Sequence, residues 1–266
     1  CANDTSIIDL TATVAPDAGL DSALALCDGG ALVDLDTIVN AGKIETWKDP
    51  SFVTIPSIID PQTDAVGQYL HIVIAGPGCI DDTAFVDLTL VNGPDAGLDA
   101  TYSDCSNAAD FDMFPLLGGT PDVGGRWYND DMSYRGAGGN TFDIDVDLAG
   151  DFYYVIVAAD PCDSAVSKVS ISISTETNAG LDSLVYDCRN GDTLNLLLHL
   201  GGSPDNNGSW QDPFGVAVVG NTITLGTADS GTYIYTVPAN GSCASGSADL
   251  RVVINDSAYP GQSVVA

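Results

Sequence analysis

Pro94-Asp95-Ala96-Gly97-Leu98-Asp99 decides the reading of this chain, because it has copies. Pro16-Asp17-Ala18-Gly19-Leu20-Asp21 stands before it and Asn178-Ala179-Gly180-Leu181-Asp182 after it. Eight residues past the glycine of each copy comes a cysteine (Cys27, Cys105, Cys188), and then a tryptophan (Trp47, Trp127, Trp210). Next is Gly-x-Tyr or Gly-x-Phe: Gly67 with Tyr69, Gly150 with Phe152, Gly231 with Tyr233. Twelve residues past each of those glycines stands a second cysteine, Cys79, Cys162 or Cys243. Self-similarity at a fixed period of roughly 80 residues is the signature of a tandem array.

The spacing predicts three complete modules, 15–92, 93–175 and 176–256. Cys1-Ala2-Asn3-Asp4-Thr5 matches Cys79-Ile80-Asp81-Asp82-Thr83, so residues 1–14 read as the last strand of a preceding module and 257–266 as the first strand of a following one. The competing reading of Cys1 is an acylated lipoprotein N-terminus.

Each module reads as all-β. Val169-Ser170-Ile171-Ser172-Ile173-Ser174 alternates strictly, as does Phe142-Asp143-Ile144-Asp145-Val146-Asp147-Leu148, which predicts strands with one core face and one wet face. Clusters such as Gly201-Gly202-Ser203-Pro204-Asp205 punctuate them as turns. About seven short strands, a Cys…Trp…Cys order and a late Gly-x-Tyr predict a two-sheet Greek-key sandwich with the tryptophans as core anchors.

Charge narrows the partners. Lys and Arg number 7 against 37 Asp and Glu, for a formal charge of −30. Nucleic acid and anionic membranes both need a basic footprint, so neither is expected. No apolar run approaches the roughly 18 residues of a membrane span. No GxSxG, HExxH, Walker or dinucleotide loop is present, His71 and His199 read as sheet residues, and no enzyme is expected.

Six cysteines pair naturally within modules, as Cys27–Cys79, Cys105–Cys162 and Cys188–Cys243, with Cys1 joined to a cysteine upstream. Disulfides on this scale imply an oxidising, extracytoplasmic compartment. Only Glu45 and Glu176 among the acids are glutamate. Most of the aspartates read as turn and surface residues. No cofactor is required, but Ca²⁺, which takes carboxylate and carbonyl oxygens, fits the acids recurring at each junction, Asp17, Asp21, Asp95 and Asp99, with the amide Asn178 and Asp182 in the third copy. The Asp143/Asp145/Asp147 triplet lacks the glycine and the distal acid of a calcium loop and reads as the wet face of a strand.

With these residues in view, the chain resembles the Ig-like repeats of giant Bacteroidota surface adhesins, including those tied to gliding motility. The Pro-Asp-Ala-Gly-Leu-Asp opening, the Leu117-Gly118-Gly119-Thr120-Pro121-Asp122 and Leu200-Gly201-Gly202-Ser203-Pro204-Asp205 stretches, and Asp229-Ser230-Gly231-Thr232-Tyr233 carry the resemblance. Module one departs, with Asn40-Ala41-Gly42-Lys43 in place of Leu-Gly-Gly. The Asp-Ser/Thr-aliphatic tripeptides resemble the O-glycosylation acceptor of secreted Bacteroidota proteins, at Ser22, Thr37, Thr83, Ser164, Ser183, Thr193 and Ser257.

The expectation is therefore tandem Ig-like Greek-key β-sandwich modules arranged as an extended rod. Such a rod serves as the stalk of a long extracellular, cell-surface adhesin or filament and touches chiefly its neighbouring modules. The alternatives are modules that bind surface glycans or proteins, through loops such as 128–135, and accessory domains of a secreted polysaccharide-degrading enzyme.

Overall fold

The computed structural model describes residues 4–39 and 45–256. Cys1, Asn40 to Lys43, Ser257 and the strand expected over 257–266 lie outside the described residues. The first repeat runs β1 (Ser22–Cys27), β2 (Val33–Asp34), α1 (Asp36–Val39), β3 (Glu45–Lys48), β4 (Thr54–Ile55), β5 (Ile58–Ile59), β6 (Gly67–Val73) and β7 (Asp82–Val91). The second runs β8 (Ala100–Cys105), β9 (Phe111–Asp112), a 3-10 turn (Phe114–Leu116), β10 (Arg126–Tyr128), β11 (Thr141–Phe142), β12 (Gly150–Ile156) and β13 (Ala165–Ser174). The third runs β14 (Ser183–Cys188), β15 (Thr193–Asn195), a 3-10 turn (Leu196–His199), β16 (Ser209–Gln211), β17 (Ala217–Val218), β18 (Thr222–Thr224), β19 (Gly231–Val237) and β20 (Gly246–Asn255).

One plan repeats. The main sheets have the orders β1-β7-β6-β3-β4, β10-β12-β13-β8 and β14-β20-β19-β16-β17, and each faces a two-stranded sheet, β2-β5, β9-β11 or β15-β18. In every repeat the first strand lies parallel to the last: Cys27 opposite Val91, Cys105 opposite Ser174, Cys188 opposite Asn255. Parallel neighbours cannot be joined by a hairpin, so the chain crosses to the second sheet and returns before closing. This is an Ig-like β-sandwich.

Alternation along the last strands is the physical source of the core. In β20, Ala248, Leu250, Val252 and Ile254 are buried and the residues between them face out. Trp210 and Tyr235 lie at the centre of the third core, 4.9 Å apart. Trp47 and Trp127 are equally buried in their own repeats. Contacts divide the chain into two compact units, Cys1–Leu98 with Gly118–Tyr128 and Tyr153–Ser167, and Asp99–Leu117 with Asn129–Phe152 and Lys168–Ala266.

A hydrogen bond at the entrance to β6 and β19 marks the Gly-x-Tyr signal. Tyr69 Oη donates to the Ala65 carbonyl at 2.7 Å, and Tyr233 Oη to Asp229 at 3.0 Å. This is the tyrosine corner of Ig-like domains. Burial first, and then nearby aspartates (Asp64 and Asp49; Asp212 and Asp229), push both phenols above their ordinary value. A raised folded-state value means each corner contributes fully below about pH 10 and is lost as pH rises through the folded value. Thermal melts followed by circular dichroism should therefore show a midpoint falling above about pH 10, and a smaller fall in the Tyr69→Phe/Tyr233→Phe variant.

Three expected strands are not formed, and the first is that read over 1–14, whose described residues 4–14 carry none. Phe142 to Leu148 was to alternate along a strand, yet β11 ends at Phe142 and a turn follows, with Asp147 N–H bonded to the Asp143 carbonyl at 2.8 Å. The Asp147 carboxylate turns inward onto Arg135, at 2.6 and 3.1 Å, and this pairing outweighs a wet strand face. Burial opposes its ionisation, but the Arg135 hydrogen bond, the Asp143 N–H and the Arg135 charge hold it below the usual carboxylate range. His199 likewise ends a 3-10 turn and is not in a sheet.

Candidate functional site at the repeat junctions

The recurring junction sequence has a physical explanation in its glycine. Gly19, Gly97 and Gly180 all have φ between +84° and +89°. A Cβ at Gly97 would lie 2.6 Å from the Gly118 carbonyl oxygen, one at Gly180 would lie 2.8 Å from that of Gly201, and one at Gly19 would lie 2.5 Å from that of Val39. Only glycine tolerates both the left-handed backbone and the close approach. In the second and third repeats the following leucine then pairs with the Leu-Gly-Gly stretch, through Leu98 with Gly118 and Leu181 with Gly201.

The acids beside the glycine bind backbone donors. Asp17, Asp95 and Asn178 accept from the N–H of the glycine two residues on, at 3.0, 2.7 and 2.8 Å. Asp21, Asp99 and Asp182 accept from the N–H of Phe85, Lys168 and Asp249, at 2.9, 2.8 and 2.8 Å. They prolong the parallel pairing of first and last strands by one bond. A further clasp joins Asp95 to Asp122, whose carboxylate accepts from Asp95 N–H at 2.9 Å, and Asn178 repeats it on Asp205 at 2.9 Å. Among the described residues no three His, Cys, Asp or Glu side chains gather where they could hold a metal.

The cysteines correct the expected pairing. Cys27 bonds Cys162, and Cys105 bonds Cys243, each with Cα atoms 4.8 Å apart, while Cys79 and Cys188 are free thiols. The expected Cys27–Cys79 bond fails on strand length. Cys27 lies opposite Val91 at the end of β7, whereas Cys79 precedes the start of β7 at Asp82. Nine strand steps set them roughly 30 Å apart, and a disulfide closes only Cα separations of about 4.4–6.8 Å. The first cysteine of one repeat therefore meets the second cysteine of the next. Cys162 Sγ lies 3.4 Å from the Val91 carbonyl oxygen, and Cys243 Sγ lies 3.3 Å from that of Ser174. Gly93 leaves room for the first staple, since a Cβ there would lie 3.2 Å from Cys27 Sγ.

Some residues escaped sequence reading. Tyr154 and Tyr235 each tie down the loop before their tryptophan. Their hydroxyls donate to the carbonyls of Asp122 and Asp205 at 2.7 and 2.6 Å, and accept from the N–H of Gly125 and Gly208 at 2.8 and 2.9 Å. In the first repeat this position is His71, fully buried, with Nδ1 2.9 Å from the Ala18 carbonyl oxygen and its ring 4.7 Å from Trp47. An Ig-like domain with a disulfide across its sheets carries its second cysteine two residues past the corner tyrosine. Here that place holds His71, Tyr154 or Tyr235, and the constant offset from the corner residue was the signal available.

Arg135, in the 128–135 loop, also bonds Asn129 Oδ1 at 2.7 Å and lies 4.9 Å over the Phe152 ring, so this loop is pinned from within. Of the expected modification sites, Thr37, Ser164 and Thr193 are exposed. Ser22, Thr83 and Ser183 are half-buried; the Ser22 hydroxyl points inward and the Ser183 hydroxyl donates to the His199 carbonyl.

No family model matches the chain, and no curated protein matches it. Among solved structures, the I-band fragment I67–I69 from titin is similar at 15% identity and a TM-score of 0.46, over 89% of this chain and 95% of that one. Sidekick-1 immunoglobulin domains 1–4 are similar at 14% and 0.34, over 88% and 74%, and Drosophila OTK extracellular domains 3–5 at 11% and 0.35, over 89% and 95%. Likeness at this level carries no argument about function. The strand order and the tyrosine corners carry the Ig-like assignment.

Proposed function

We propose that this chain is a tension-bearing stalk segment of a long extracellular adhesin or filament, of the kind found on Bacteroidota cells, and that it performs no catalysis. The observation that carries the reading is the staple linking each repeat to the next. Within-repeat bonds would protect a domain, whereas bonds across junctions hold neighbours together when a domain opens. The disulfides fit an oxidising exterior, and among the described residues no helix is long and apolar enough to cross a membrane. The charge of −30 keeps such segments from collapsing onto one another. Glycans would attach first at the exposed Thr37, Ser164 and Thr193.

The experiment is surface labelling of source cells with antibody to this chain, with and without permeabilisation, followed by the intact mass of the recovered protein. Labelling of intact cells and a hexose-spaced mass series are expected. Labelling only after permeabilisation would sink the reading. The loop at 128–135 favours a second role in glycan or protein binding, because Arg135 holds it in place while Met132 and Tyr134 remain exposed.

A further inference from the structure

The two free thiols among the described residues, Cys79 and Cys188, occupy the same places as cysteines that are bonded elsewhere in the molecule. Cys79, Cys162 and Cys243 close the same turn, their N–H groups bonded to the carbonyls of Gly76, Ala159 and Asn240 at 3.2, 3.0 and 2.9 Å. At the other end, Cys188 terminates β14 as Cys27 terminates β1 and Cys105 terminates β8, and the next N–H in each case bonds the end of the last strand: Asp28 to Val91, Ser106 to Ser174, Arg189 to Asn255. Asp104 and Asp187 even cap the N–H of Cys105 and Cys188 alike, each at 2.8 Å.

A second observation concerns what lies against Cys79. Asp9-Leu10-Thr11 matches Asp87-Leu88-Thr89, which makes Thr13 the counterpart of Val91. Thr13 Oγ1 lies 3.4 Å from Cys79 Sγ, as the Val91 and Ser174 carbonyls lie beside Cys162 and Cys243. In both finished staples the residue so placed is the register partner of the bonded cysteine. By this equivalence a strand like β1 would run along residues 8–13, which form no strand by themselves, and its cysteine would arrive opposite Thr13. Ile8 and Leu10 on that segment are 86% and 93% exposed, whereas their counterparts Val86 and Leu88 are buried in the core of the first repeat, with Trp47 and Tyr69.

We infer that Cys79 and Cys188 are complementary half-staples. Each takes a further repeat of this same build, Cys79 the first cysteine of the repeat before it and Cys188 the second cysteine of the repeat after it. The linkage is directional and can propagate indefinitely. The inference does not depend on the adhesin reading.

A second copy of the chain supplies both partners, its Asn255, already opposite Cys188, taking the place of Thr13 beside Cys79. In a Cys1→Ser background, one variant carries Cys188→Ser and keeps Cys79; the other carries Cys79→Ser and keeps Cys188. Both retain the two existing staples. Oxidised glutathione serves as the oxidant: each protein–protein bond releases two protons, and its two electrons reduce one glutathione disulfide to two thiols. The equimolar mixture should yield the mixed Cys79–Cys188 dimer at least tenfold over both symmetric dimers together, with each variant alone remaining monomeric. A random distribution, with the mixed species about half of all dimer, would overturn the inference. So would glutathione capping of both thiols without any protein–protein bond.

Discussion

With Cys1, Cys79 and Cys188 replaced by serine, breaking both staples should lengthen the stretched chain between positions 27 and 243 by about 550 Å, at about 3.5 Å per extended residue. Breaking either one alone should add only about 75–85 Å at that same rise. The inequality follows from interlaced loops. With both bonds intact the shortest covalent route crosses from Cys27 to Cys162, runs back 57 residues to Cys105 and crosses to Cys243. Cys27→Ser leaves a route of 78 residues, from 27 to 105, and Cys105→Ser leaves 81, from 162 to 243. Losing both leaves all 216. Single-molecule force spectroscopy with terminal handles reads these lengths directly. In this background the one within-repeat bond still possible, Cys105–Cys162, would make Cys27→Ser add nothing and Cys105→Ser add about 200 Å at that same rise, and that result would rule out the staples.

Trp210→Ala should destabilise the third repeat by about 3–5 kcal/mol, the range for emptying an aromatic core site. Trp210 is 1% exposed and packs on Tyr235, which is fully buried. The loss would extend to the loop, because Tyr235 holds Gly208 and Asp205. A Cβ at Gly208 would stand 2.4 Å from the Tyr235 ring, so ring and backbone fit only in this arrangement. Denaturant unfolding monitored by far-ultraviolet circular dichroism measures the effect, with Val219→Ala as a control. Val219 is 95% exposed, and its loss should cost less than about 0.5 kcal/mol. Comparable losses in the two variants would show that the tryptophan does not anchor the core.

Much of the sandwich was legible because its signals are local. The junction glycines had to recur, since each has φ near +85° against a carbonyl oxygen. Val169 to Ser174 alternated and formed the end of β13. Phe142 to Leu148 alternated just as well and formed a turn, because Arg135, several residues away, supplies a partner that turns Asp147 inward. Periodicity reports a preference for two faces; it does not know whether a buried cation waits on one of them.

The sequence alone determined that the chain is a repeat of all-β units, where their tryptophans and corner residues lie, and that its cysteines belong to two recurrent positions. Those features depend on spacing and backbone geometry, which are written in the order of residues. Only the tertiary structure decided which cysteines meet. The first strand runs parallel to the last, which carries Cys27 to the far end of β7, roughly nine strand steps from Cys79. A disulfide depends on distance in space, and a ten-residue strand places the two cysteines of one repeat at opposite ends of it.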